Sequence, residues 1–138
     1  MTLGRRTPVV LVAAGAVVLL ATAAFHASGH GDVARQAAAS SLEPFLAAAL
    51  PTLWLFFSWH LAAVALGVVA SLFAAAATTR AVALGCGFVA AVDFLWVLSL
   101  AGFFAGTALL VLASLLLLAG GLSLGLSPRT PPAAARSG

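Results

Sequence analysis

The sequence carries very little charge: only 7% of its 138 residues are Asp, Glu, Lys or Arg, against about 25% in a typical soluble domain. So few polar residues could not build the exterior of a water-soluble globule. Lysine is absent, and all six basic residues are Arg. Opposed by only three acidic residues, they give a pI near 11.3 without forming a basic patch, and nucleic acid is excluded as a partner. A single cysteine, Cys86, excludes an internal disulfide and a CxxC site; within its apolar stretch it reads as a small core residue. No Walker motif, GxSxG, HExxH or GxGxxG occurs in a usable context, and no loop is long enough to form a soluble catalytic domain.

What remains is apolar. Hydrophobic residues make up 64% of the chain, and the mean hydropathy is +1.21. A bilayer core requires about 20 apolar helical residues per crossing, and four stretches meet that length: about 8–26, 52–76, 81–98 and 102–122. Their continuous Ala and Leu content favours helices and does not alternate as the strands of a membrane barrel would. The fold class is therefore an all-α membrane protein, a four-transmembrane-helix bundle over residues 1–126 with a bilayer as its immediate partner. Thr7 and Pro8 suit the start of the first span, and the Ser28–Asp32 segment suits a turn closing it. Short linkers place spans two, three and four as antiparallel neighbours. The segment from Val33 to Leu50 reads as a short interfacial helix approaching span two, with Ser40 and Glu43 at capping-box spacing, a helix start at Ser41 and a bend at Pro51. Residues 127–138, with Pro128, Pro131 and Pro132, read as a disordered tail.

Arginine sets the orientation. Inserted chains keep Arg and Lys on the cytoplasmic side. With both termini inside, the inner segments hold Arg5, Arg6, Arg80, Arg129 and Arg136, and the outer ones only Arg35. The expected topology is a cell-membrane, multi-pass protein with both ends cytoplasmic and a cytoplasmic tail. A competing reading takes Arg5-Arg6, the apolar run and Ala21-Thr22-Ala23 as a cleaved secretory signal, which would leave three spans.

Ionisable residues in hydrocarbon are the candidates for function. His60 in span two and Asp93 in span three lie roughly 13 Å and 8 Å from the outer ends of their helices at 1.5 Å per residue, so a contact between them is expected. Ala63, Gly67 and Ser71 share a helical face with His60, which suggests a narrow stripe turned into the bundle. Cys86 and Ala90 do the same for Asp93. The pair serves either as a polar clasp fixing helix pairing or as a ligand or proton-relay pair, with Trp59 and Trp96 beside it. Aromatic residues gather at the outer side, either as interface anchors or as the wall of a pocket for a lipid or quinone ring. His26 and His30 are four residues apart at the outer end of span one and are weak metal candidates, because glycines flank His30 and no further ligand is fixed. A haem held between His26 and His60 is weaker still, since their depths differ, and no cofactor is predicted. Two GxxxG matches, Gly102–Gly106 and Gly121–Gly125, suggest that span four packs tightly somewhere.

Three functions follow from these residues. The first is an accessory or structural protein acting by helix packing, within a homo-oligomer or a larger membrane complex. The second is a subunit of an oligomeric transporter or proton-coupled carrier using His60 and Asp93. The third, least supported, is a membrane enzyme or a haem or quinone site at His60.

Overall fold

A computed structural model describes residues 3–126. It contains five helices: α1 (Leu3–Ser28), α2 (His30–Ala38), α3 (Pro44–Ser71), α4 (Ala76–Ala101) and α5 (Ala105–Leu126). No strand occurs among the described residues. Four helical segments are long and apolar enough to cross a membrane, the first being α1 continued by α2. Helices suit such a setting because every backbone hydrogen bond is closed within the segment. The expected tail, 127–138, lies outside the described residues.

The helix ends differ from those expected. Helix α1 begins at Leu3, so Pro8 lies within it and Thr7 does not cap it. The turn expected over Ser28–Asp32 shrinks to Gly29, whose backbone is itself in the right-handed helical region, and the chain resumes as α2 at once. Helix α3 starts at Pro44 and runs through Pro51 without ending. Its cap is Glu43, whose carboxylate accepts from the Phe45 backbone N–H at 3.1 Å; Ser40 instead donates to Ala37 O. Proline at the first helical position has no N–H to leave unpaired, which explains a start at Pro44 rather than Ser41. Helix α3 stops at Ser71 and α4 begins at Ala76. Thr79 ties the two ends, donating from Oγ1 to Ser71 O at 2.7 Å.

At the other end of α4, Gly102 closes the helix with φ +75°, a conformation costly for any residue with a Cβ. Thr107 then organises the start of α5, accepting from Phe104 N and donating to Phe104 O, each at 2.8 Å.

The packing order is α3–α1–α5–α4. Helix α5 wedges between α1 and α4, α1 packs on α3, and α2 lies along α3. Helices α3 and α4 are neighbours, as the short linker requires, but they meet only sparsely. The buried residues explain why. On α3 the packed face is Ser58, Leu61, Ala65 and Val68, which follows the 3.6-residue period and turns toward α1. Ala63 and Gly67 are exposed whereas Ser71 is buried: the stripe shared with His60 looks out of the packed core over most of its length and rejoins it only at Ser71. The core itself joins Val12, Ala16 and Leu19 of α1 to Leu110, Ala113 and Leu117 of α5, and Cys86 packs half-buried against it.

Glycine determines which helices come close. A Cβ at Gly121 would lie 2.9 Å from the Leu84 side chain, and one at Gly87 would lie 2.9 Å from Leu118. Ser114 crosses the same interface to donate to Gly87 O at 2.9 Å. The Gly121–Gly125 match therefore packs span four against α4 within the chain. The Gly102–Gly106 match does not: Gly102 is the α4 cap and faces open space.

Candidate functional site

His60 and Asp93 face each other across the opening between α3 and α4. The imidazole Nε2 lies 3.3 Å from the Asp93 carboxylate Oδ2. Oδ2 is buried, yet no well-aligned hydrogen bond reaches it, so this is a close ion-pair distance rather than an aligned donor–acceptor contact. The side chains are 36% and 20% exposed respectively. The pair is thus half open to whatever fills the gap between the helices. Each residue sits on a flank of its helix beside the packed face, which is why it bridges α3 and α4 where few other side chains do.

An aromatic chain leads from this pair to the end of the bundle where α1 and α4 finish. The Phe57 ring stacks toward His60 with centroids 6.1 Å apart and meets His26 edge-on at 5.0 Å. His26 in turn stacks on Trp54 at 4.0 Å, the planes 14° apart. Phe57 thus lies against both histidines. His26 is also held by polar contacts: Nδ1 is 2.9 Å from Ser58 Oγ, and its carbonyl accepts from Trp54 Nε1 at 2.6 Å. Sequence reasoning set His26 apart at the membrane surface and missed this network. The signal for it was Trp54 and Ser58, four residues apart and so on one face of α3.

Beside that network is a cavity of about 470 Å³, walled by residues of α1, α3, α4 and α5, among them Phe25, His26, Phe57, Trp96 and Leu100. His60 and Asp93 come one helical turn further along than Phe57 and Trp96, on the same helices. The other sequence candidates scatter. Trp96, 68% exposed, stands at the cavity wall. Trp59, 73% exposed, is not among the residues lining the cavity. His30 opens α2 beyond Gly29. Among the described residues no group of three His, Cys, Asp or Glu is placed to hold a metal ion. Asp32 and Arg35 pair with each other on α2, both exposed.

This arrangement can hold a proton between an imidazole and a carboxylate, fasten two weakly packed helices, and receive an apolar molecule at one end. No family model, curated protein or solved structure matches the chain.

Proposed function

We propose that the protein is an accessory or structural multi-pass membrane protein that acts by helix packing, with its α3–α4 side covered by a second copy of the chain. The observation carrying this reading is the half-open His60–Asp93 pair. An ionisable side chain in hydrocarbon costs about 2.5–3.5 kcal/mol on insertion scales, and such residues turn to a bundle interior or a cavity rather than to lipid. Here the chain's own helices cover the pair only partly. Closed two-fold dimers are the commonest oligomers, and a two-fold contact on this face would shield two such pairs at once. Gly67 and Gly85 support close approach: a Cβ at either would meet nothing within 4 Å in the chain, and small residues let neighbouring helices come together.

In this reading both termini are cytoplasmic in the cell membrane. Arg6 and Arg80 belong to the end that bears the termini, and α2, with its exposed Asp32–Arg35 pair, lies at the outer interface. The burial of Val12, Ala16 and Leu19 in the core supports counting span one among the four packed helices.

The test is oxidative cross-linking in membranes, in a Cys86→Ala background. Gly67→Cys should yield a covalent dimer, while Leu115→Cys, on the exposed face of α5, should not. A cross-link to another chain in place of the dimer, or equal cross-linking from both positions, would overturn the reading.

The His60–Asp93 distance of 3.3 Å favours a second reading: a subunit of an oligomeric proton-coupled carrier, in which the pair passes a proton between imidazole and carboxylate. Proton flux into vesicles containing the protein that is lost in Asp93→Asn, with the dimer intact, would select this over a purely structural role.

A further inference from the structure

We propose that the His60–Asp93 pair makes self-association depend on pH, with two chains associating firmly only while each pair holds a single proton and so carries no net charge. The inference rests on the two-chain reading above and adds its regulation.

Two ionisable groups with Nε2 and Oδ2 3.3 Å apart do not titrate separately. Their protons leave in two steps that belong to the pair as a whole. With two protons the pair carries one positive charge, an imidazolium beside a carboxylic acid. With none it carries one negative charge, a neutral imidazole beside a carboxylate. With one proton it is net neutral, whichever of the two holds that proton. The self-association that covers the pair is therefore favoured in a window of pH bounded on both sides.

No neighbouring charge compensates for either outer state. From α1, His26 comes nearest, and the Phe57 ring lies against both histidines. Helix α5 has no ionisable side chain. On α4, Cys86 is two turns from Asp93, and on α2 Asp32 and Arg35 satisfy each other. Among the described residues, no other ion pair reaches His60 or Asp93.

Covering the pair makes the net charge matter. Asp93 Oδ2 is already buried, so the imidazole side is what remains open between two sparsely packed helices. In a lone chain, local thinning of the bilayer and admitted water relieve an intramembrane charge. A second copy closes that opening, and two-fold symmetry sets a like charge across from the first. At the usual 8–10 Å between packed helices and an effective dielectric of about 20, that repulsion weakens the dimer roughly 15- to 35-fold on either side of the window.

The test measures energy transfer between donor- and acceptor-labelled full chains in zwitterionic phosphatidylcholine vesicles made permeable to protons. The dyes are insensitive to pH and sit on Ser137→Cys in a Cys86→Ala background, which also removes the thiol. The titration runs from about pH 4 to pH 10, spanning ordinary carboxylate and imidazole ionisation. The unaltered pair should give a bell-shaped profile. Asp93→Asn leaves imidazole alone to titrate, so it should associate at the alkaline end and come apart on acidification. His60→Gln leaves the carboxyl alone, so it should associate at the acid end and come apart as pH rises. Each variant thus shows itself folded at the end where it associates. Dimers of equal strength at every pH would overturn this inference and leave the two-chain reading standing, whereas monomers at every pH would overturn both. A limb that persists in both variants would also overturn it, by assigning the titration to another group, and so would a variant that is monomeric throughout.

Discussion

Replacing glycine by alanine is predicted to act with opposite sign at two helical positions, and the difference measures how tightly α5 is wedged. At Gly67 on α3 an added Cβ meets nothing within 4 Å. The substitution there keeps only the helix-propensity gain of about 1 kcal/mol. At Gly120 on α5 the same Cβ would lie 2.7 Å from Val12 Cγ2, 3.0 Å from Pro8 O and 3.1 Å from Val12 N. Two of those atoms are backbone, so no side-chain rotation relieves them and α1 must move away. Overpacking of this kind costs about 1–3 kcal/mol. Set against the same propensity gain, Gly120→Ala should range from near neutral to about 2 kcal/mol destabilised. The two variants should then differ by about 1–3 kcal/mol, or roughly five- to 150-fold in the folded-to-unfolded ratio. The assay is titration of purified protein from bicelles into SDS, followed by circular dichroism at dilutions where the chain is monomeric. Gly120→Ala as stable as Gly67→Ala would refute the α5 wedge.

Two further outcomes follow from the same packing and topology. Ser114→Ala removes the buried bond to Gly87 O and should cost about 0.6 kcal/mol, and no more than about 1.7, as interhelical hydrogen bonds in membranes do; the same SDS titration measures it, and a stabilised variant would contradict the assigned contact. On the proposed topology, read from the arginine distribution, a fluorescent protein joined after Gly138 should glow and alkaline phosphatase at the same place should be inactive; the opposite pair of results would reverse the topology.

The four helices long and apolar enough to cross a membrane were legible because they depend on composition and continuous apolar length, which lie in the sequence itself. The His60–Asp93 contact was legible for a related reason: depth along a helix follows from counting residues, and two polar groups at similar depth in hydrocarbon seek each other. The packing order was not legible. Small residues that permit close approach occur on several faces of this Ala- and Gly-rich chain, and only the fold distinguishes Gly120 and Gly121, pressed against α1 and α4, from Gly67 and Gly85, which face open space. The stripe beside His60 was misdirected on that account. The start of α3 was missed because Ser40 and Glu43 have capping-box spacing, whereas Glu43 caps a helix that begins with Pro44. The His26 network needed long-range geometry, since Trp54 and Ser58 reach it from 28 and 32 residues away.

The central claim is that the half-open His60–Asp93 pair drives this chain to associate with a second copy of itself. It is tested most directly by energy transfer between donor- and acceptor-labelled chains in lipid vesicles, comparing the unaltered protein with the double variant His60→Leu/Asp93→Leu. Replacing both residues leaves neither partner stranded and makes the α3–α4 side wholly apolar, so that lipid can cover it. The account predicts dimers for the unaltered chain and a shift to monomers for the double variant at the same lipid ratio. A monomeric unaltered chain, or a double variant that associates just as strongly, would contradict it.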